Sequence, residues 1–152
     1  MFKNILVCLD GSSIAEQILP YATEEALRFN SKVILLQIIA IPATVAGPAE
    51  PGLMAGLLEQ AKREETQART YLERIAAPLR QKGLEVQTVT LQGPPGETIV
   101  DFARKNNVGL ITMATHGRSG LKRLVFGSVA DHLLRSSGLP MLVIRPKETP
   151  PA

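Results

Sequence analysis

At 152 residues, 45% hydrophobic and 20% charged, the chain has the composition of one globular domain, long enough to bury a core and short for two. Its net charge of +3 does not suggest a nucleic-acid partner, whose basic residues gather on one face, and the single cysteine, Cys8, excludes an internal disulfide framework and fits a reducing compartment. No apolar run is long enough for a signal peptide or a bilayer span, so a cytoplasmic protein without membrane contact is expected.

The first run, "FKNILVCLD", is almost continuously apolar, as in a strand covered on both faces. "GSSIAEQILPYATEEALRFN" then changes period, with Ile14, Ile18, Ala22, Ala26 and Phe29 at helical spacing. Ser13 and Glu16 form a capping-box pattern at its start, Asn30 is a stop signal, and Pro20 predicts a kink. "KVILLQIIAI" is a second buried strand, followed by a Pro-, Ala- and Gly-rich stretch over 42–52 expected to be a mobile surface loop. A long helix follows over 53–83, with Leu58, Ala61, Ala68, Leu72, Ile75 and Leu79 along one side and Gly83 past its end.

"LEVQTVTLQ" mixes polar and apolar residues and reads as an edge strand. "PPGETIVDFARKNN" is a short helix that turns Ile99, Phe102 and Ala103 inward, and "VGLITMAT" is another buried strand. A glycine- and cation-rich loop precedes the helix "SVADHLLRSS" and the last strand, "PMLVIRP"; the tail 147–152 is expected to be disordered. Apolar strands alternating with amphipathic helices predict a single α/β domain, residues 1–146, with a five-stranded parallel sheet and helices on both faces. In such sheets ligands bind at the carboxyl ends of the strands, where strand order reverses; Asp10, Gly11 and the loop after Thr115 fall there.

That loop poses a chemical question. Gly117, Gly120 and Gly127 permit close backbone approach or positive φ, and Gly127-Ser128 stands where a helix begins, so free amides and the positive helix end make an anion site suited to phosphates. Ser128 adds a hydroxyl, or acts only as a helix N-cap; Arg118, Lys122 and Arg123 add charge, or simply face solvent. No G-x-x-x-x-G-K-[ST] occurs, and no G-x-G-x-x-G follows the first strand. Asp10 has a bland reading as a turn starter or cap with Gly11 and Ser12. His116 and His132, without an acidic or cysteine cluster, do not make a metal site, and Cys8 reads as inert core.

"MATHGRSGLKRLVFGSVADHLL…PMLVIRP", with "ILVCLDGS" at the start, resembles the universal stress protein family in its ATP-binding branch, over essentially the whole chain. That branch carries G-x2-G-x9-G-[ST]. Here the second glycine is Gly117, the third Gly127 and the hydroxyl residue Ser128, while Ala114 stands at the first glycine. The resemblance implies a Rossmann-like fold of the adenine nucleotide alpha hydrolase type that binds ATP with Mg²⁺. It implies nucleoside contact by Asp10, backbone contact with adenine at Ile38, and a ribose and phosphate lining of Met113, Ala114, Gly117, Gly127, Ser128 and Val129. It also implies a homodimer through the last strand, Met141 to Arg145, that signals to partner proteins through nucleotide occupancy. Two alternatives stand beside it: a slow ATPase or nucleotide-transfer enzyme, with Asp131 as the one nearby base, and a nucleotide-free dimeric interaction module, which Ala114 keeps open.

Overall fold

The computed structural model describes residues 1–40, 50–115 and 127–147. Five parallel strands, β1 (Asn4–Leu9), β2 (Lys32–Ile39), β3 (Val86–Gln92), β4 (Leu110–Ala114) and β5 (Met141–Ile144), lie in the order β3-β2-β1-β4-β5. Four helices connect them: α1 (Leu19–Phe29), α2 (Pro51–Gln81), α3 (Pro95–Lys105) and α4 (Ser128–Ser136), with a 3-10 turn, Ala15–Ile18, ahead of α1. This is the expected α/β architecture.

Alternation along the strands divides the interior into two cores. Ile5, Val7 and Leu9 of β1 and Val33 and Leu35 of β2 face α1 and α2, where they meet Ile18, Ala22, Leu72 and Leu79. Leu6, Ile34, Leu36, Ile111 and Met113 face α3 and α4, against Ile99, Ala103, Ala130 and Leu133. Because both faces are covered, β1 and β2 have to be apolar nearly throughout, which is why their sequences read so clearly. Thr112, fully buried in β4, is accommodated because its hydroxyl donates to Leu6 O at 3.1 Å.

Several local features differ from the sequence reading. Pro20 does not kink a helix: the 3-10 turn ends at Ile18, and Pro20 falls in the first turn of α1, where its missing N–H costs nothing. Helix α2 starts at Pro51 for the same reason, so Pro51 and Gly52 belong to it rather than to a loop; residues 41–49 lie outside the described residues. Its buried residues begin only at Ala68, and Leu58 is 58% exposed, because 31 residues span about 46 Å and outrun the sheet. Phe29, at 38% exposure, is a surface residue stacked edge-on against Phe2, and Phe102 is half-buried against the α3–α4 core.

The two sheet margins differ. At β3, Arg80 of α2 donates from Nη2 to Val86 O at 3.1 Å and from Nη1 to Glu73 Oε2 at 2.7 Å, while Thr88 Oγ1 donates to Glu73 Oε1 at 2.6 Å. These donors hold the Glu73 carboxyl below the usual carboxylate range. At β5 all four residues are half-buried.

Candidate functional site

Strand order reverses between β1 and β4, so the carboxyl ends of these two strands open a crevice. From β1 the chain leaves through Asp10 and turns at Gly11, whose φ is +85°, a conformation that favours glycine. Asp10 Oδ1 accepts from Ser12 N at 2.9 Å and Ser12 Oγ at 2.6 Å, and Ser12 Oγ accepts in turn from Ala15 N at 3.1 Å. Ser12, not Ser13, therefore caps this turn. The expected Ser13–Glu16 box does not form, because the left-handed Gly11 brings the earlier hydroxyl over the first free amide, and Ser13 is left exposed.

Glu16 of the 3-10 turn ties this loop to α2. Arg74 Nη2 donates to Glu16 Oε1 at 3.3 Å, and the Arg74 guanidinium lies 5.4 Å from the centre of the Tyr71 ring. Burial, the Glu16 carboxylate beside its hydroxyl and the charge on Asp10 all push the Tyr71 phenol up, so it stays neutral beneath the loop.

On the other side of β1, the last residues of β4 arrive as Met113 and Ala114, 8% and 4% exposed. Met113 packs into the α3–α4 core. Thr115 closes the strand by donating from N to Ile144 O at 2.8 Å. Ile38 is half-buried near the end of β2, one residue beyond Gln37, which is in register with Leu9.

Helix α4 begins at Gly127, whose carbonyl accepts from Asp131 N at 3.0 Å; this is the first bond of the helix, and no side chain caps it. The amides of Ser128, Val129 and Ala130 precede that bond and have no intrahelical acceptor. Gly127 has φ −50°, so the left-handed turn that was one of its two expected uses does not occur there. Ser128 is the first residue of the helix and exposed, not its N-cap. Val129 is half-buried against the α3–α4 core.

The sequence-predicted residues thus divide. Asp10, Ile38, Met113 and Ala114 stand on three adjacent strands at the same end of the sheet, and Gly127, Ser128 and Val129 open the helix that leads to β5. Gly117, with His116, Arg118, Gly120, Lys122 and Arg123, lies outside the described residues. Asp131 is paired with Arg135 at 3.1 Å, an exposed pair one turn apart on α4. His132 serves packing: a β-carbon on Gly96 would lie 2.7 Å from its Cδ2, so α3 and α4 touch at that ring. Sequence reasoning did not identify Tyr71, Glu16 and Arg74, which are brought together only by the packing of α2.

A model of the universal stress protein family matches residues 1–145. Among curated proteins, Universal stress protein MJ0531 of Methanocaldococcus jannaschii is 31% identical over 145 residues, covering 95% of this chain and 83% of the relative. Among solved structures, protein MJ0577 of the same organism superposes with a TM-score of 0.84 at 28% identity, covering 98% of this chain and 99% of its own. A universal stress protein family member from Arabidopsis thaliana, solved with AMP bound, shares the fold with a TM-score of 0.67 at 14% identity, covering 95% and 92% of the two chains.

Proposed function

The chain belongs to the universal stress protein family, and from that premise we propose that it binds ATP with Mg²⁺ in the crevice between β1 and β4 and signals through nucleotide occupancy. The observation that carries the reading is the convergence at one end of the sheet of the Asp10 turn, the ends of β2 and β4, and an α4 N-terminus without a side-chain cap. In this reading Asp10 contacts the nucleoside, the Ile38 backbone meets adenine, and the backbones of Met113 and Ala114 line the ribose. The amides of Ser128 and Val129, with Gly127 leaving room for approach, receive phosphate oxygens, and Gly117 supplies the second glycine of the motif.

The residues fit such a ligand. A helix start without a side-chain cap suits an anion, and Ala114, the one departure from the motif, is buried. Among the described residues no group of three or more His, Cys, Asp or Glu side chains is placed to hold a metal ion, so Mg²⁺ would enter on the phosphates. A homodimer through the last strand, Met141 to Arg145, and a cytoplasmic location complete the proposal; among the described residues no helix is long and apolar enough to cross a membrane.

The test is to purify the protein without added nucleotide, denature it, identify what is released by chromatography, and titrate Mg-ATP into empty protein. The expected result is micromolar affinity, about −8 kcal/mol. Gly127→Val should weaken it at least about tenfold by standing a side chain before the amides, whereas Ala114→Gly should change it less than about threefold, since the methyl is already buried. An empty protein that ignores millimolar Mg-ATP would overturn the reading.

A further inference from the structure

One side chain joins the carboxyl end of the described chain to the turn that carries Asp10. Gln17, in the 3-10 turn, donates from Nε2 to Lys147 O at 3.0 Å and accepts at Oε1 from Lys147 N at 2.8 Å. A primary amide bonded twice to one residue's backbone mimics the exchange of bonds between two strands, and here it spans 130 positions of sequence. Lys147, the first residue of the tail expected from sequence to be disordered, is held by this pair; residues 148–152 lie outside the described residues.

Each end of the connection leads somewhere specific. Lys147 continues β5, whose last ladder pair is Ala114↔Ile144, so Gln17 extends the hold on the β5 exit beyond its pairing with β4. Gln17 itself follows Glu16, whose N–H donates to Ser12 O at 3.3 Å, and Ser12 is the residue bonded to Asp10 Oδ1. Three sets of hydrogen bonds, joined by the covalent backbone at Gln17–Glu16 and within Ser12, therefore lead from the β5 exit to the Asp10 carboxylate. Neither element needs Gln17 in order to fold: Ala15 and Ile18 bury the 3-10 turn, and the β4 ladder secures β5.

We propose that Gln17 is a positioning residue that couples the open margin of the sheet at β5 to the Asp10 turn. Strand addition at β5 restrains its exit, the restraint passes through the Gln17 amide, and the turn becomes better ordered for a ligand. By reciprocity a ligand that orders the turn favours addition at β5. The ligand arm rests on the nucleotide reading above and the concentration arm on the association through β5 proposed with it; the link through Gln17 rests on neither.

The experiment is amide hydrogen exchange at Ser12 and Ala15, whose N–H groups report the Asp10 turn directly, in the full chain and in Gln17→Leu, Lys147→Pro and the double variant. Leucine keeps bulk without the amide, and proline removes the Lys147 N–H, together with the lysine side chain and the freedom of φ, while leaving the carbonyl. Each single change should speed exchange about fivefold, the worth of roughly one weak hydrogen bond, and the double should add nothing further, because both cut the same link. In the parent protein, protection should also rise with protein concentration, and in Gln17→Leu it should not. Unchanged exchange in the single variants, additive effects in the double, or concentration-independent exchange in a parent that sedimentation shows to be associating would each overturn the coupling. A parent that stays monomeric overturns the association at β5 instead, and the single and double variants still decide the link. If the parent protein binds no adenine nucleotide, the nucleotide reading falls while the exchange data still decide the coupling.

Discussion

Cys8 occupies the central strand with its side chain against the α3–α4 core, and burial pushes its thiol from 9.0 up to about 12. Below pH 9 both folded and unfolded chains keep this proton. Between 9 and about 12 the unfolded chain releases it while the folded one retains it, so stability falls as pH rises through that window. Cys8→Ala removes this component. Urea denaturation at about pH 8 and about pH 10.5 should show the parent losing on the order of 2 kcal/mol more than the variant between the two conditions. Tyr71, also shifted upward, is present in both proteins and cancels in the difference. The same shift keeps the thiol un-ionised and unreactive in the native state.

Helix α2 combines two regimes along one apolar stripe. Leu72 is fully buried against β1 and β2, whereas Leu58, on the segment that outruns the sheet, is 58% exposed. Leu72→Ala should cost about 2–5 kcal/mol and Leu58→Ala less than about 0.5 kcal/mol in equilibrium denaturation. Equal costs would mean that the exposed segment is covered in solution. The sequence pattern could not separate the two, since both leucines sit at helical spacing and only the length of the sheet decides where burial stops. Strands β1, β2 and β4 were legible because burial on both faces leaves little room for polar residues. The starts of α1 and α2 were not, because proline in a first turn has the same composition as a loop. At the candidate site, Asp10 and Gly127 were legible from their places at a strand end and a helix start. The choice of Ser12 over Ser13 depended on the dihedral angles of Gly11, and the Gln17–Lys147 and Tyr71–Glu16 contacts join distant segments that leave no local signal.

At the scale of the whole molecule, the ladder at β5 shows which backbone groups face away from β4. Ile111 N donates to Pro140 O and Thr115 N to Ile144 O, so alternate residues turn toward β4 and Met141 and Val143 turn outward. Val143→Pro removes one outward donor and spares the bonds to β4. If self-association runs through this strand, as proposed, sedimentation should show the variant as a monomer at concentrations where the parent is a dimer, with nearly the parent's thermal midpoint. A variant that stays dimeric would place the interface elsewhere.

The opposite margin sets how far such an assembly can extend. Copies that meet β5 to β5 use the same surface twice and close on themselves. Copies that meet β5 to β3 would leave a fresh edge at each end and lengthen into a fibre, the hazard of any sheet with two free sides. Arg80 already occupies the Val86 carbonyl, and Glu73 holds Arg80 there. The guanidinium therefore takes one outward acceptor of β3 away from any strand that would add at that margin.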